Sequence, residues 1–139
     1  MPQSAESLPK SAALPLPGRR ILVVEDDRID RLLLWRTFRK VHRATRLEFA
    51  QTLAEARTAL RTSRFHAVIL DNALPDGNGV DFAMELAESG ETSQLPLYIL
   101  SGWPSPFMGE KASRANVRDV FSKQDFGSPE ARKIIRALA

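Results

Sequence analysis

Residues 21–27 read Ile21-Leu22-Val23-Val24-Glu25-Asp26-Asp27, four unalternating aliphatic residues that run straight into three acids. A short, uninterrupted, β-branched run is what a strand buried on both faces carries, so a central strand of a parallel sheet is expected here. Three later segments repeat the arrangement. Asp71 follows Ala67-Val68-Ile69-Leu70, Ser101 follows Leu97-Tyr98-Ile99-Leu100, and Lys123 follows Val120-Phe121-Ser122. The ends of parallel strands converge on one edge of a sheet, and α/β proteins bind their ligands at that edge. Carboxylates, a hydroxyl and an ammonium gathered there can hold a divalent metal and a phosphoryl group.

Outward from this stretch, strands and helices alternate. Asp30 to Arg39 reads as a helix with Leu32, Leu33, Trp35, Phe38 and Val41 on its apolar face. Arg46–Ala50 is a short strand, and Thr52–Thr62 a helix with Leu53, Ala56, Ala59 and Leu60 inward. Phe65–Leu70 is the third strand. The turn-forming segment 72–79 leads into a helix over Val80–Ser89 with Val80, Ala83, Met84 and Ala87 inward. Leu97–Leu100 is the fourth strand, with Pro96 at its mouth, where a missing donor is harmless. A helix is expected over 105–115, its start fragmented by Pro104, Pro106 and Gly109. Val117–Ser122 is the fifth strand. Ser128 then caps a last helix with Pro129 at its first position and Ile134, Ile135 and Leu138 as core contacts. Five strands alternating with five helices predict an α/β fold, a doubly wound parallel sheet with right-handed crossovers.

The chain has 139 residues, of which 43% are hydrophobic and 27% charged, a size and balance for one globular domain. Without cysteine, disulfides and thiolate sites are excluded, and His42 and His66 are too few for most zinc sites. Both histidines are read as structural or merely exposed. The apolar runs are far too short to span a bilayer, so no membrane insertion is expected. The net charge of +3 invites a nucleic-acid reading, but +2 of it belongs to residues 1–20. The remainder shows no basic face interleaved with stacking aromatics, and no direct nucleic-acid role is expected. Residues 1–19, with four of the nine prolines, read as a disordered N-terminal extension to a domain covering 20–139. Prolines also break up any apolar core a secretory signal would need, and a cytoplasmic location is expected.

Taken alone, Asp71 could be a cap or a turn residue. Glu25 and Asp26 change that reading, because three acids sharing one mouth repel each other unless a cation neutralises them. An oxygen-rich site without thiolate or imidazole suits magnesium. Asp27 and Asp30 are read as helix-start residues favouring the positive end of the helix. Ser101 could donate to a phosphoryl oxygen on Asp71, and Lys123 could neutralise another while pairing with the unmodified carboxylate.

These segments resemble the receiver domain of two-component response regulators, in its single-domain form. The resemblance covers residues 20–139 and rests on ILVVEDD at 21–27, LDNALPDGNG at 70–79, LSG at 100–102 and the lysine of VFSK at 120–123. It implies a flavodoxin-like sheet of order 2-1-3-4-5. It further implies Asp71 as phosphoacceptor, and Asp26, Glu25, Asp71 and the backbone carbonyl of Ala73 as the protein's share of a Mg2+ shell. Ser101 would be the switch hydroxyl and Lys123 the site lysine, with Pro75 and Gly79 shaping the loop. Asn116 stands where a turn glycine is usual, a mild change because asparagine tolerates a left-handed turn. Three departures stand out: Val120 where an inward-swinging aromatic is common, Gln124 where proline is common, and a proline-rich stretch carrying Trp103 and Phe107.

The expected function is that of a phosphorylation-dependent switch in a phosphorelay, fed by a sensor histidine kinase or histidine phosphotransfer protein. It would be a stoichiometric acceptor rather than a turnover enzyme. With no output domain after Ala139, it would act through protein contacts, as a monomer or weak dimer. A phosphorylation-independent scaffold is the alternative reading. A magnesium-dependent phosphohydrolase is a third, for which no substrate pocket or second general acid is evident.

Overall fold

The computed structural model describes residues 18–90 and 94–138. The expected N-terminal extension therefore lies, through residue 17, outside the described residues. The five apolar runs form five strands: β1 (Arg20–Val24), β2 (Arg46–Ala50), β3 (Ala67–Asp71), β4 (Leu97–Ser101) and β5 (Val117–Ser122). All are parallel, in the order β2-β1-β3-β4-β5. Helices α1 (Arg28–Val41), α2 (Leu53–Thr62), α3 (Gly79–Ser89), α4 (Pro106–Arg114) and α5 (Ser128–Leu138) connect and follow them. The doubly wound, five-stranded, flavodoxin-like sheet expected from the sequence is the fold.

Period-2 alternation within the apolar runs builds two cores. Leu22, Val24, Val68, Leu70, Leu97 and Ile99 face α2 and α3, where Leu53, Ala56, Val80, Phe82, Ala83 and Leu86 complete one layer. Their neighbours Ile21, Val23, Ala67, Ile69, Tyr98 and Leu100 face α1 and α5, packing on Leu34, Phe38, Ala131, Ile134, Ile135 and Leu138. With apolar layers on both faces, β1, β3 and β4 have no polar side to spare.

Several helix boundaries carry the expected capping chemistry. Asp27 caps α1, its carboxylate accepting from the Asp30 amide at 2.8 Å, and Thr52 caps α2. The prolines before α4 do not fragment it. Ser105 is its N-cap and Pro106 its first residue, where a missing N–H is harmless. Asn116 adopts φ 61°, the left-handed turn for which asparagine is suited. Ser128 is the first residue of α5 rather than its cap. Glu130 reaches back instead, accepting from the Gly127 amide at 2.8 Å.

The apolar face expected for α1 is corrected. Leu32, Leu33 and Trp35 are exposed, whereas Leu34 and Phe38 are buried and Val41 is half-buried. Leu34, Phe38 and Val41 are spaced four and three apart, and this stripe sets the rotation of the helix. The same rotation carries Asp30 and Arg31 toward the ends of β1 and β5, where they meet the site.

Candidate functional site

Strand register decides where the polar groups meet. Val24 pairs with Leu70, Asp71 with Leu100, and Ser101 with Ser122. Glu25, Asp71, Ser101 and Lys123 therefore all fall within about one residue of the same edge. Asp71 itself is the last residue of β3, one step beyond the predicted strand end, because its neighbour Asn72 continues the ladder by donating to the Leu100 carbonyl at 2.9 Å.

Glu25, Asp71 and Ser101 are buried, and Asp26 is exposed at the mouth. Carboxylate oxygens of Glu25, Asp26 and Asp71 lie within 4.8 Å of one another. The Lys123 ammonium stands among the acids, 2.8 Å from Glu25 Oε1, 2.8 Å from Asp30 Oδ2 and 3.3 Å from Asp71 Oδ2. Burial works against its positive charge, but the carboxylates of Asp30, Glu25 and Asp71 outweigh that effect and hold its pKa above the ordinary lysine value.

The backbone around the acids is fixed. The Glu25 amide donates to the Ala50 carbonyl at 2.9 Å, and Arg31 Nη1 donates to the carbonyls of Glu25 and Asp26 at 3.1 and 2.8 Å. On the other side, the Ala73 amide donates to Asp71 Oδ1 at 3.2 Å. Residues Ala73–Leu74 pair antiparallel with Gly77–Asn78, folding the loop into a small hairpin. Asp76 on that hairpin caps α2, its two oxygens accepting from the amides of Leu53 and Ala54 at 2.9 and 3.0 Å. Ser101 closes the edge beside Asp71. Its Oγ accepts from the Trp103 amide at 3.1 Å, while its carbonyl accepts from the Lys123 amide at 2.9 Å.

Gly79 is required by close approach. A Cβ there would stand 2.7 Å from the Asp71 carbonyl oxygen, 3.2 Å from Leu70 Cβ and 3.3 Å from Asn72 Cα, all of them atoms that cannot swing aside. The Gly79 amide also bonds the Asn72 carbonyl at 3.0 Å, so α3 is fastened to the residue after Asp71. Gly79→Ala is expected to destabilise the fold by about 1–3 kcal/mol and to slow any reaction at Asp71. An unchanged denaturant midpoint would contradict the close packing.

Glu25 Oε2 accepts from the Asp27 amide at 3.0 Å. Oε1 meets Lys123 at a poor angle and has no well-aligned hydrogen-bond donor despite its burial. Burial, and then the negative charge of Asp71, push the Glu25 carboxyl up to about 7, against the opposing pull of Lys123 and the Asp27 amide. A buried, under-satisfied oxygen beside two further carboxylates fits a hard divalent cation. Glu25, Asp26 and Asp71 are the side chains that could hold one, and Ala73 lies beside Asp71 on the loop.

The sign of the pH dependence follows. Without metal, folded Glu25 keeps its proton to about pH 7, whereas the unfolded chain releases it near 4.5. The stabilising contribution is complete below the lower value and is lost as pH rises through the upper one. Metal-free protein should lose ~1–3 kcal/mol through this group between those limits, and Glu25→Gln should remove that part of the decline. Denaturant midpoints at pH 5 and 8, wild type against variant, measure it. Parallel declines in the two proteins would contradict the assignment.

Sequence reasoning singled out every acid here except Asp30, whose side chain reaches Lys123 from α1 rather than serving only the helix start. Its position one turn after the acidic doublet was the available signal.

Comparison with known proteins agrees with the geometry. The family model described as response regulator receiver domain matches residues 21–136. The two-component response regulator ORR3 of Oryza sativa subsp. indica is 28% identical over 111 residues, covering 79% of this chain and 83% of its own. Among solved structures, a two-component response regulator from Legionella pneumophila superposes with a TM-score of 0.78 at 22% identity, covering 86% of this chain and 97% of that one. The phosphorylated cyanobacterial phytochrome response regulator RcpA does so with a TM-score of 0.72 at 19% identity, covering 85% and 89%. No helix among the described residues is long and apolar enough to cross a membrane.

Proposed function

The chain belongs to the response regulator receiver domain family, whose members are switches of phosphorylation-dependent two-component signalling, and from that premise we propose that Asp71 is its phosphoacceptor. The single observation that carries this reading is the buried Asp71 carboxylate, held 3.3 Å from Lys123 and within 4.8 Å of the Glu25 and Asp26 carboxylates. An oxygen of Asp71 attacks the phosphorus of a phosphohistidine in line. The P–O bond forms as the P–N bond breaks, and the departing imidazole nitrogen keeps the electron pair. Lys123 neutralises phosphoryl oxygen charge as it spreads in the transition state. The Ala73 amide orients the attacking carboxylate, and the Ser101 hydroxyl donates to a phosphoryl oxygen once it leaves the Trp103 amide.

Magnesium, held by Glu25, Asp26, Asp71 and the Ala73 carbonyl, would supply charge neutralisation for the phosphoryl oxygens. Water attack on the acyl phosphate resets the switch. The donor is a sensor histidine kinase or histidine phosphotransfer protein, and the protein is a stoichiometric acceptor in the cytoplasm. Residues 20–139 form the receiver, and residues 1–19 an extension to it.

The test is intact mass after incubation with acetyl phosphate and magnesium, with the adduct mapped by peptide sequencing. One phosphoryl group on Asp71, absent without magnesium, is the expected result. No adduct from acetyl phosphate or from phosphohistidine donors, on folded magnesium-bound protein, would favour the phosphorylation-independent scaffold.

A further inference from the structure

At the opposite edge of the sheet, where the strands begin, lies a cleft of about 650 Å³. That volume is in the range of sites for cofactor-sized molecules. Arg19 and Arg118 come to it from the starts of β1 and β5, Arg57 and Arg61 from α2, and Arg64 from the turn before β3. Against these five cations the described lining offers one carboxylate, Glu85, and Arg57 already holds it in a two-point pair at 2.8 and 2.8 Å. Among the described residues, none of Arg19, Arg61, Arg64 and Arg118 forms an ion pair with a carboxylate. We propose that this arginine-lined cleft binds an organic phosphate of nucleotide size.

Three further observations point to such a ligand. The Arg19 guanidinium lines the cleft, and its Nε is buried without an acceptor among the described residues. His66 Nδ1 accepts the Arg20 amide at 3.0 Å, so in the neutral ring Nε2 carries the hydrogen and is a second donor at the wall. Burial first, and then the charge of Arg19, hold the His66 pKa below its ordinary value, the second of these in keeping with a positive cleft. A helix C-terminus attracts cations without any ligand, and this accounts for Arg61 in the last turn of α2. It does not account for Arg19 or Arg118 at strand starts.

Apolar side chains share the rest of the wall with Ser63, Ser89 and Gln94; Leu60 and Leu95 are half-buried and present apolar surface beside the guanidinium groups. A bare inorganic anion would leave this surface unused, whereas a ligand with a flat apolar part and a phosphate chain would use both. Guanidinium forks match phosphate oxygens two at a time.

The experiment titrates the full chain with a fluorescent N-methylanthraniloyl ATP at 150 mM salt, with EDTA present to keep metal-bridged binding at the acidic edge out of the signal. Unlabelled ATP, inorganic tripolyphosphate and poly-glutamate serve as competitors. Saturable binding is expected, displaced by ATP and at least about tenfold less well by tripolyphosphate or poly-glutamate. Arg19→Ala and Arg118→Ala should each weaken it about tenfold, with Arg118→Lys recovering part of the loss. Both alanine variants should keep wild-type labelling by acetyl phosphate, and Arg19→Ala the wild-type melting temperature; Arg118 also bonds the buried Tyr98 hydroxyl, so Arg118→Lys is the fold control at that position. Absence of saturable binding to 1 mM probe, binding indifferent to both arginine variants, or equal displacement by tripolyphosphate or poly-glutamate would each overturn the proposal.

Discussion

Asp71→Asn is expected to abolish phosphoryl uptake while making the metal-free protein more stable. The amide keeps the size of the carboxylate, and its carbonyl oxygen can still accept from the Ala73 amide that now bonds Asp71 Oδ1. What it lacks is the anionic oxygen that attacks phosphorus in the proposed reaction. Intact mass with acetyl phosphate and magnesium should therefore show no adduct, a complete loss rather than a slowing. Stability should move the other way. Glu25, Asp26 and Asp71 bring three carboxylates within 4.8 Å, and the negative charge of Asp71 is one reason that Glu25 is driven toward its neutral form. Removing a buried like charge relieves that repulsion, by about 1–2 kcal/mol at neutral pH without metal. Lys123 keeps Glu25 and Asp30 as partners, so no new unpaired cation is created. Magnesium should then stabilise the variant less than wild type, because one of the three carboxylates proposed to hold it has gone. Denaturant midpoints with and without magnesium read both effects. A persistent adduct on the variant would show that another acid accepts the phosphoryl group. A midpoint that falls without metal would show that Asp71 is held by attractions larger than the repulsion argued here.

That opposition between reactivity and stability explains why the site was so legible in the sequence. Apolar strands have no packing use for acids at their ends, so Glu25 and Asp26 after β1 and Asp71 at the end of β3 each break the local rule. The sheet was legible for a related reason. Strands buried on both faces need unbroken aliphatic runs, and Ile21–Val24 and Ala67–Leu70 supply them with no ambiguity of face. Helix α1 was less legible, because Leu32, Leu33, Leu34 and Trp35 are consecutive or nearly so and fill the circumference. Periodicity could not choose among them, and packing on α5 selected Leu34 and Phe38. Contacts that depend on this rotation were hidden with it, above all the ion pair of Asp30 with Lys123 across 93 residues of sequence. The capping of α2 by Asp76 was hidden similarly, since it depends on how the hairpin after β3 folds back over a neighbouring helix. The arginines of the opposite edge are dispersed along the chain, from Arg19 to Arg118. Only parallel strands, which bring their starts together as surely as their ends, collect them into one cleft.

Lys123→Ala is expected to damage both folding and reaction, and the two losses should respond differently to magnesium. The ammonium is the shared partner of Glu25, Asp30 and Asp71, two of them buried. Without it the metal-free variant holds three acids and no lysine, and breaking a buried pair costs up to about 3–5 kcal/mol. The side chain of Lys123 is 25% exposed and water recovers part of this, so the lower half of that range is expected. Glu25 should respond by holding its proton above the value of about 7 reached with Lys123 present. The destabilisation should accordingly be largest at pH 8 and shrink toward pH 5. Magnesium restores positive charge among the same carboxylates, so it should raise the melting temperature of the variant by more than that of wild type. On the proposed mechanism it should not restore the reaction, because there the lysine neutralises phosphoryl oxygens from a position of its own. The rate of adduct formation from acetyl phosphate should remain about 10²–10³-fold below wild type at saturating magnesium, the loss typical when one preorganised charge-stabilising donor is removed. A variant that melts like wild type without metal and labels at the wild-type rate would reduce Lys123 to a surface charge. One rescued by magnesium in rate as well as in melting temperature would show that the lysine serves only to balance charge, not to hold the phosphoryl group.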